Sequence, residues 1–294
     1  MHMVGVKAEK YIKEAQENIA KILKVDPKEI FFTSGGTESN NMAIIGTAMA
    51  NKRKGNKIIT TSVEHSSVLA TMKYLEEQGF EVIYLPVDRY GVVQMEALEK
   101  EMTEDTILVS TMYVNNEVGA IEPVGEIGQY IKKVNPSVVY HVDAIQAFGK
   151  LEIKPRRDNI DLLTVSGHKI HGPKGSGFIY IKKNTKINPI IFGGGQQMGF
   201  RSGTENVPGI AGIGQASKDC YDNLATEPGV QVYTANWHNG FEGAHGATFP
   251  ARSAICFEAQ HFPDTPNKGH FPSCVLKPEE VYQQITIYKF GVEK

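Results

Sequence analysis

The sequence predicts an α/β fold: a mainly parallel sheet with helices on both faces, followed by a smaller antiparallel β segment. Three observations predict it. Short apolar runs alternate with helix-like stretches from Lys7 to about Leu224, the pattern of crossover units in a parallel sheet. Polar clusters repeatedly follow the apolar runs: Ser34–Thr37, His65, Asn115–Asn116, Asp143 with Gln146, and Ser166–Lys169. Ligands in such sheets collect at the carboxyl ends of the strands, so these clusters are expected to converge on one edge. After about Thr226 the chain becomes rich in Phe, His, Pro and Gly, and the alternation stops.

Taken in order, residues 7–23 place Ala8, Tyr11, Ile12, Ala15, Ile19 and Ile22 at helical spacing. Asp26-Pro27 ends that helix. A strand over 29–33 leads into Ser34-Gly35-Gly36-Thr37-Glu38-Ser39-Asn40-Asn41, and an apolar helix follows over 42–49. A strand, a glycine-rich turn and a helix start make an anion site, because free N–H groups and the helix dipole point at one place. The plainer alternative is that Ser34 or Thr37 caps the helix without a ligand. Strands are expected at 57–61, 81–85, 106–112 and 138–142, with helices at 66–78, 94–102 and 127–134. Apolar runs at 160–165 and 177–181 are a further pair of strands, and 210–224 is a helix rich in Ala and Gly.

The chain has 294 residues, 41% hydrophobic and 22% charged, with a net charge of -2. That is the composition of a globular protein with a core, and it gives no sign of a nucleic-acid or anionic-membrane partner. No apolar run is long enough to span a bilayer, and the first seven residues lack the apolar core of a signal peptide. Cys220, Cys256 and Cys274 are an odd set without a CxxC pair, which points to a reducing cytoplasm rather than a disulfide framework.

Lys169 lies in Ser166-Gly167-His168-Lys169-Ile170-His171-Gly172-Pro173-Lys174-Gly175, between two apolar runs. Burial favours a neutral amine, and a neutral lysine forms a Schiff base with a carbonyl; a solvated loop lysine is the ordinary alternative. The neighbouring clusters meet the needs of pyridoxal phosphate. Lys169 suits the aldehyde, and Asp143 suits the ring nitrogen that must stay protonated for the ring to act as an electron sink. Gly36, Thr37, Ser166 and His168 offer donors for the phosphate. His65 can stack on the ring, and Gln146 and Asn116 can bond its oxygen or the substrate. Asp143 as a helix cap and His65 as a satisfied core histidine stay open as alternatives.

These residues carry a resemblance. Residues from about Val4 to Asn223 resemble the class V aminotransferase family, in particular the cysteine desulfurases that feed iron–sulfur assembly. The matching stretches are Thr33–Asn41, Val63-Glu64-His65, Asn115-Asn116-Glu117-Val118-Gly119, His141–Gln146, Ser166–Gly175, Gly193-Gly194-Gly195-Gln196-Gln197 and Arg201-Ser202-Gly203-Thr204. The resemblance implies pyridoxal-phosphate fold type I, with a mainly parallel sheet of about seven strands flanked by helices. It implies that Lys169 carries the cofactor, His65 stacks on it, Asp143 pairs with the ring nitrogen and Gln146 meets the phenolic oxygen. Thr37, Ser166 and His168 would hold the phosphate, and Thr204 would reach the phosphate of a neighbouring subunit in a homodimer. The implied reaction converts L-cysteine to L-alanine and passes sulfur through an enzyme cysteine to an acceptor scaffold.

Two departures from that family shape the expectation. Its opening strand, with a motif like Asp-Asn-Ala-Ala-Thr-Thr, has no counterpart here, and neither does the small domain that supplies a nucleophilic cysteine and a carboxylate-binding arginine. The tail from Glu227 instead resembles the end of the aldose 1-epimerases, through Glu227–Asn236, Ile255–Asp264, Phe271-Pro272-Ser273 and Leu276-Lys277-Pro278. There the resemblance makes Glu258 the general base toward a sugar, but its acid partner has no counterpart, so an orphaned strand carboxylate is the favoured reading. His261 and His270 are read as turn or surface histidines, not a metal pair. The expected organisation is therefore a large domain over 1–223 and an antiparallel β fragment over 224–294, with strands at 230–235, 253–258 and 283–290. Impaired desulfurase turnover is expected. A sugar-directed role for the tail and a non-catalytic dimer partner of a complete desulfurase are the alternatives.

Overall fold

The computed structural model describes residues 3–222 and 224, and the backbone of four short strands between 231 and 258. The chain divides into two units, Met1–Asp222 and Asn223–Lys294. In the first unit the order is α1 (Met3–Leu23), β1 (Ile30–Thr33), α2 (Gly36–Asn51), β2 (Lys57–Thr61), α3 (Ser66–Glu77) and β3 (Glu81–Leu85). It continues with α4 (Met95–Glu101), β4 (Thr106–Met112), α5 (Val124–Val134), β5 (Val139–Asp143), β6 (Leu162–Ser166), β7 (Gly177–Ile181) and α6 (Val207–Asp222).

The seven strands form one sheet in the order β1-β7-β6-β5-β4-β2-β3. Pairings from β3 through β6 are parallel, whereas β7 runs antiparallel to both β6 and β1. The tight return from β6 to β7 explains the single reversed strand, since only a crossover helix would let β7 run parallel to β6. As a result β1, β2, β4, β5 and β6 all end on the same edge, and the turns that follow them carry the polar clusters.

Two apolar cores lie on the two faces of this sheet. Along β7, Phe178 and Tyr180 belong to one core and Ile179 and Ile181 to the other, the period-two alternation of a strand buried on both sides. α2 and α3 cover one face through Met42, Ile44, Met72 and Leu75. α1, α5 and α6 supply Ile19, Ile127 and Ile213 to the other. α1 and α6 approach closely because a Cβ on Gly214 would lie 2.7 Å from Ala15 Cα.

Tyr11 departs from the expected apolar face of α1 and is 56% exposed. It precedes Ile12 by one position, about 100° round the helix from the stripe of Ile12, Ala15 and Ile19. Lys24 then takes a left-handed φ of 57° and stops the helix before Asp26-Pro27.

Gly177 sits where β7, β6 and the β1–α2 turn meet. A Cβ there would lie 2.7 Å from Gly35 Cα and 2.8 Å from Val165 O, both backbone atoms. Gly177→Ala is therefore expected to cost about 1–3 kcal/mol by forced backbone displacement. The check is a urea unfolding midpoint that falls while the slope is unchanged.

In the second unit, β8 (Gln231–Tyr233) pairs antiparallel with β11 (Cys256–Glu258), and β9 (Phe241–Glu242) with β10 (Thr248–Phe249). The expected strands over 230–235 and 253–258 thus appear as shorter paired segments. The strand expected over 283–290 lies outside the described residues, as do His261, His270 and Cys274.

Candidate active site

The first turn of α2 is open. Its N-cap is Gly35, which makes no side-chain capping bond. The expected cap by Ser34 or Thr37 does not form: Ser34 Oγ is 2.5 Å from Glu38 Oε2 and donates to it, and Thr37 is exposed. Glu38 is in turn held by Arg201 at 2.7 Å, and the Arg201 and Ser34 donors draw its carboxyl below the usual range against the opposing effect of burial. The first N–H groups of a sixteen-residue helix are left without a side-chain cap, at its positive end.

Ser166, at the end of β6, lies against this turn. A Cβ on Gly36 would come 3.5 Å from Ser166 Cβ, ordinary contact, and would press on the end of the Ile145 side chain. Ser166 Oγ is 2.8 Å from His168 Nδ1. Backbone N–H groups, a hydroxyl and an imidazole form a donor set suited to a phosphate.

Lys169 lies in a 3-10 turn, Gly167–Ile170, directly after β6. It is half-buried, where full burial between strands was expected, because the glycine-rich turn opens at the sheet edge. His168 is pushed below the usual histidine range by burial first and then by the charges of Lys169, Lys174 and His65. Asn40 and Ser67 connect Asp143 to His65, and His168 and Lys169 share the turn that follows β6 at the same sheet edge.

Asp143 ends β5 and is 4% exposed. Its Oδ1 accepts from Ile145 N–H at 2.9 Å and its Oδ2 from Asn40 Nδ2 at 2.8 Å. Burial raises its pKa, and these two donors pull it back. Both expectations for Asp143 are compatible with this geometry: it caps a turn, and it is a buried carboxylate at the ligand edge. His65 is not a core histidine. It is exposed, it is the N-cap of α3, and its Nδ1 accepts from Ser67 N–H at 3.1 Å.

Gln146 is half-buried and accepts from Lys150 at 3.3 Å. Asn116 is half-buried and donates to Glu117 at 3.1 Å. Its neighbour Asn115 shapes the loop, donating to Val63 O at 2.9 Å and accepting from the N–H groups of Glu117 and Val118. Thr204 is exposed and lines a cleft of about 180 Å³ with Ser34 and Gly175, beside the cradle rather than in it. Cys220, on α6, donates to Ile170 O at 3.6 Å. Glu258 stands opposite Gln231 in the β8–β11 pair of the second unit.

Three residues escaped sequence reasoning. Asn40 and Ser67 are buried and join Asp143 to His65. Glu64 is buried beside a cleft of about 620 Å³ that Asn115 and Tyr90 also line. Burial pushes its carboxyl up to about 8, with Asp143 and Glu122 adding to the effect. The one signal available was two consecutive asparagines, Asn40-Asn41, in the first turns of a helix, where asparagine is unfavourable without a partner.

A sheet with one reversed strand, helices on both faces and an open helix start at its carboxyl edge defines pyridoxal-phosphate fold type I. The aminotransferase class-V profile matches residues 1–227. The chain belongs to the class V aminotransferase family. The aldose 1-epimerase profile matches residues 212–289. "Cysteine desulfurase IscS" of Clostridium botulinum (strain Hall) is 49% identical over 221 residues, 75% of this chain and 55% of that protein. The protein of the same name from Methanosarcina thermophila is 49% identical over 218 residues, covering 74% and 54%. Among solved structures, "NIFS-LIKE PROTEIN" superposes with a TM-score of 0.75 at 47% identity, covering 76% of this chain and 61% of that one. "SspA in complex with cysteine" gives 0.71 at 40% identity, covering 74% and 63%. The chain thus spans about half the length of the curated relatives it matches. Among the described residues, no helix is long and apolar enough to cross a membrane.

Proposed function

We propose that residues 1–223 form the cofactor-binding part of a pyridoxal-phosphate-dependent cysteine desulfurase, acting on L-cysteine to give L-alanine and supplying sulfur for iron–sulfur assembly. The observation that carries this reading is that Asp143 with His65, Ser166 with His168, and the Lys169 turn stand at one sheet edge beside an uncapped helix start. The names of the similar proteins point to the same chemistry.

The residues present suit the cofactor, which when bound supplies an electron sink for charge developing on the substrate. Gly36 and Thr37 N–H, Ser166 Oγ and His168 would hold the phosphate. Asp143 would keep a proton on the ring nitrogen, since its two oxygens are already held by N–H donors that favour the carboxylate. His65 would cover one ring face, and Lys169 would give the covalent link. Gln146 and Asn116 would orient polar groups of the ring and substrate. Thr204 would complete the phosphate site of a second subunit, making the working unit a homodimer, with a scaffold protein as sulfur acceptor.

For this chain alone, slow turnover is expected. Cys220 is packed beneath the Lys169 turn with its thiol on Ile170 O, not poised above the ring. The test is to add pyridoxal phosphate to the purified chain and then L-cysteine. A visible absorbance band that L-cysteine perturbs is the expected result, with little alanine formed. A chain that develops no such band, or whose band is indifferent to L-cysteine, would refute the reading.

A further inference from the structure

We propose that Asn40 is a positioning residue: its amide sets a single direction for a buried hydrogen-bond chain that locks the Asp143 carboxylate, reaches His65 through Ser67, and on its other side holds His141 as the Nε2–H tautomer. This deepens, and rests on, the reading of this sheet edge as the cofactor site.

The direction follows from donors and acceptors. An ionised carboxylate only accepts. Asp143 Oδ2, 2.8 Å from Asn40 Nδ2, therefore fixes which end of the amide faces it. The second hydrogen of that Nδ2 goes to Ser67 Oγ at 2.9 Å. Ser67 Oγ, having accepted, has its own proton to give to His65 Nδ1 at 2.9 Å. Ser67 N–H also donates to that nitrogen, at 3.1 Å. With two donors aimed at it, Nδ1 carries no proton, and the neutral ring bears its hydrogen on Nε2, across the ring from Ser67.

The other end of the amide runs the same way. Asn40 Oδ1 accepts from Thr164 Oγ1 at 2.6 Å. Thr164 has then spent its proton and accepts from His141 Nε2 at 3.3 Å, and His141 Nδ1 accepts from Ser110 Oγ at 2.8 Å. Asn40, Thr164, His141 and Ser110 are all 0% exposed, away from bulk solvent. Every polar atom of the Asn40 side chain is used, and reversing the amide would set an acceptor against the Asp143 carboxylate and turn the Thr164 proton toward His141. A buried network satisfied in only one sense is specific in the way that a single hydrogen bond is not. For the proposed chemistry, His65 is offered to the ring in one orientation, and the two Asp143 oxygens are fixed by N–H donors.

The test uses the full chain labelled with 15N-histidine, without added cofactor, at mildly alkaline pH where imidazole is neutral. Long-range 1H–15N spectra distinguish the two tautomers, and the signals of His65 and His141 are identified by their loss in His65→Gln and His141→Gln. Both rings are expected as pure Nε2–H tautomers. In Asn40→Ala, Thr164 no longer gives its proton to Asn40 Oδ1 and can donate to His141 Nε2, so His141 is expected to lose its single tautomer and show nitrogen shifts averaged between the two forms, while His65, still held by the Ser67 N–H, keeps its own. Should Asn40→Ala fail to fold, the isosteric Thr164→Val removes the donor to Asn40 Oδ1 and is expected to give the same averaging at His141. A wild-type His141 protonated on Nδ1 would overturn the proposal, as would a His141 that keeps one tautomer in a folded Asn40→Ala chain. Failure of the cofactor reading would show separately, as no visible band when pyridoxal phosphate is added, and would leave these spectra unchanged.

Discussion

Lys169→Ala is expected to turn a retained cofactor into one that is lost on dialysis. The rest of the site does not depend on the lysine. The α2 N-terminus, Ser166 with His168, and Asp143 with its two N–H donors are held by contacts in which the Lys169 amine takes no part. Pyridoxal phosphate should still bind through its phosphate and ring nitrogen, but reversibly. Gel filtration followed by release and absorbance of the cofactor gives the answer: close to one equivalent retained by the wild-type chain and none by the variant. Equal retention by both would place the covalent link elsewhere.

The second large effect concerns pH. Glu64 Oε1 accepts from Thr61 at 2.7 Å and from Met112 N–H at 2.8 Å, while Oε2 has no partner among the described residues. Its carboxyl, raised from 4.5 to about 8, is neutral in the folded chain at neutral pH and ionised in the unfolded chain. The folded state therefore binds more protons between these values, and stability must fall as pH rises through this window. Burial also raises Glu122 and Asp143, which adds slope of the same sign. Glu64→Gln keeps the acceptor for Thr61 and Met112 and removes the charge. The variant is expected to be more stable than wild type above pH 8, by up to roughly 5 kcal/mol, with the two curves converging near pH 5. Urea midpoints across this range check it, and parallel curves would contradict it.

Much of the sheet was legible because its inner strands are buried on both faces and read as largely apolar runs. The runs over 57–61, 106–112 and 177–181 appear with the same bounds, and so does that over 81–85, which forms the more exposed edge strand β3. Helix α2 was less legible. Its apolar stretch suggested a start at Met42, yet it begins at Gly36, because Ser39 and Asn40 are buried polar residues in its first turns. Apolar periodicity discards such residues, so Asn40, which with Ser67 links Asp143 to His65, was passed over. His65 could be read as a core or a site histidine, and only the fold shows it exposed at the start of α3. The reversal of β7 likewise depends on the short β6–β7 return and not on any residue pattern within the strand.

The covalent role of Lys169 is tested by treating the chain with pyridoxal phosphate, reducing it with borohydride, digesting it and locating the added pyridoxyl mass. That mass is expected on the peptide containing Lys169. Its appearance on Lys174 or another exposed lysine instead, or on none, would mean that Lys169 does not carry the cofactor.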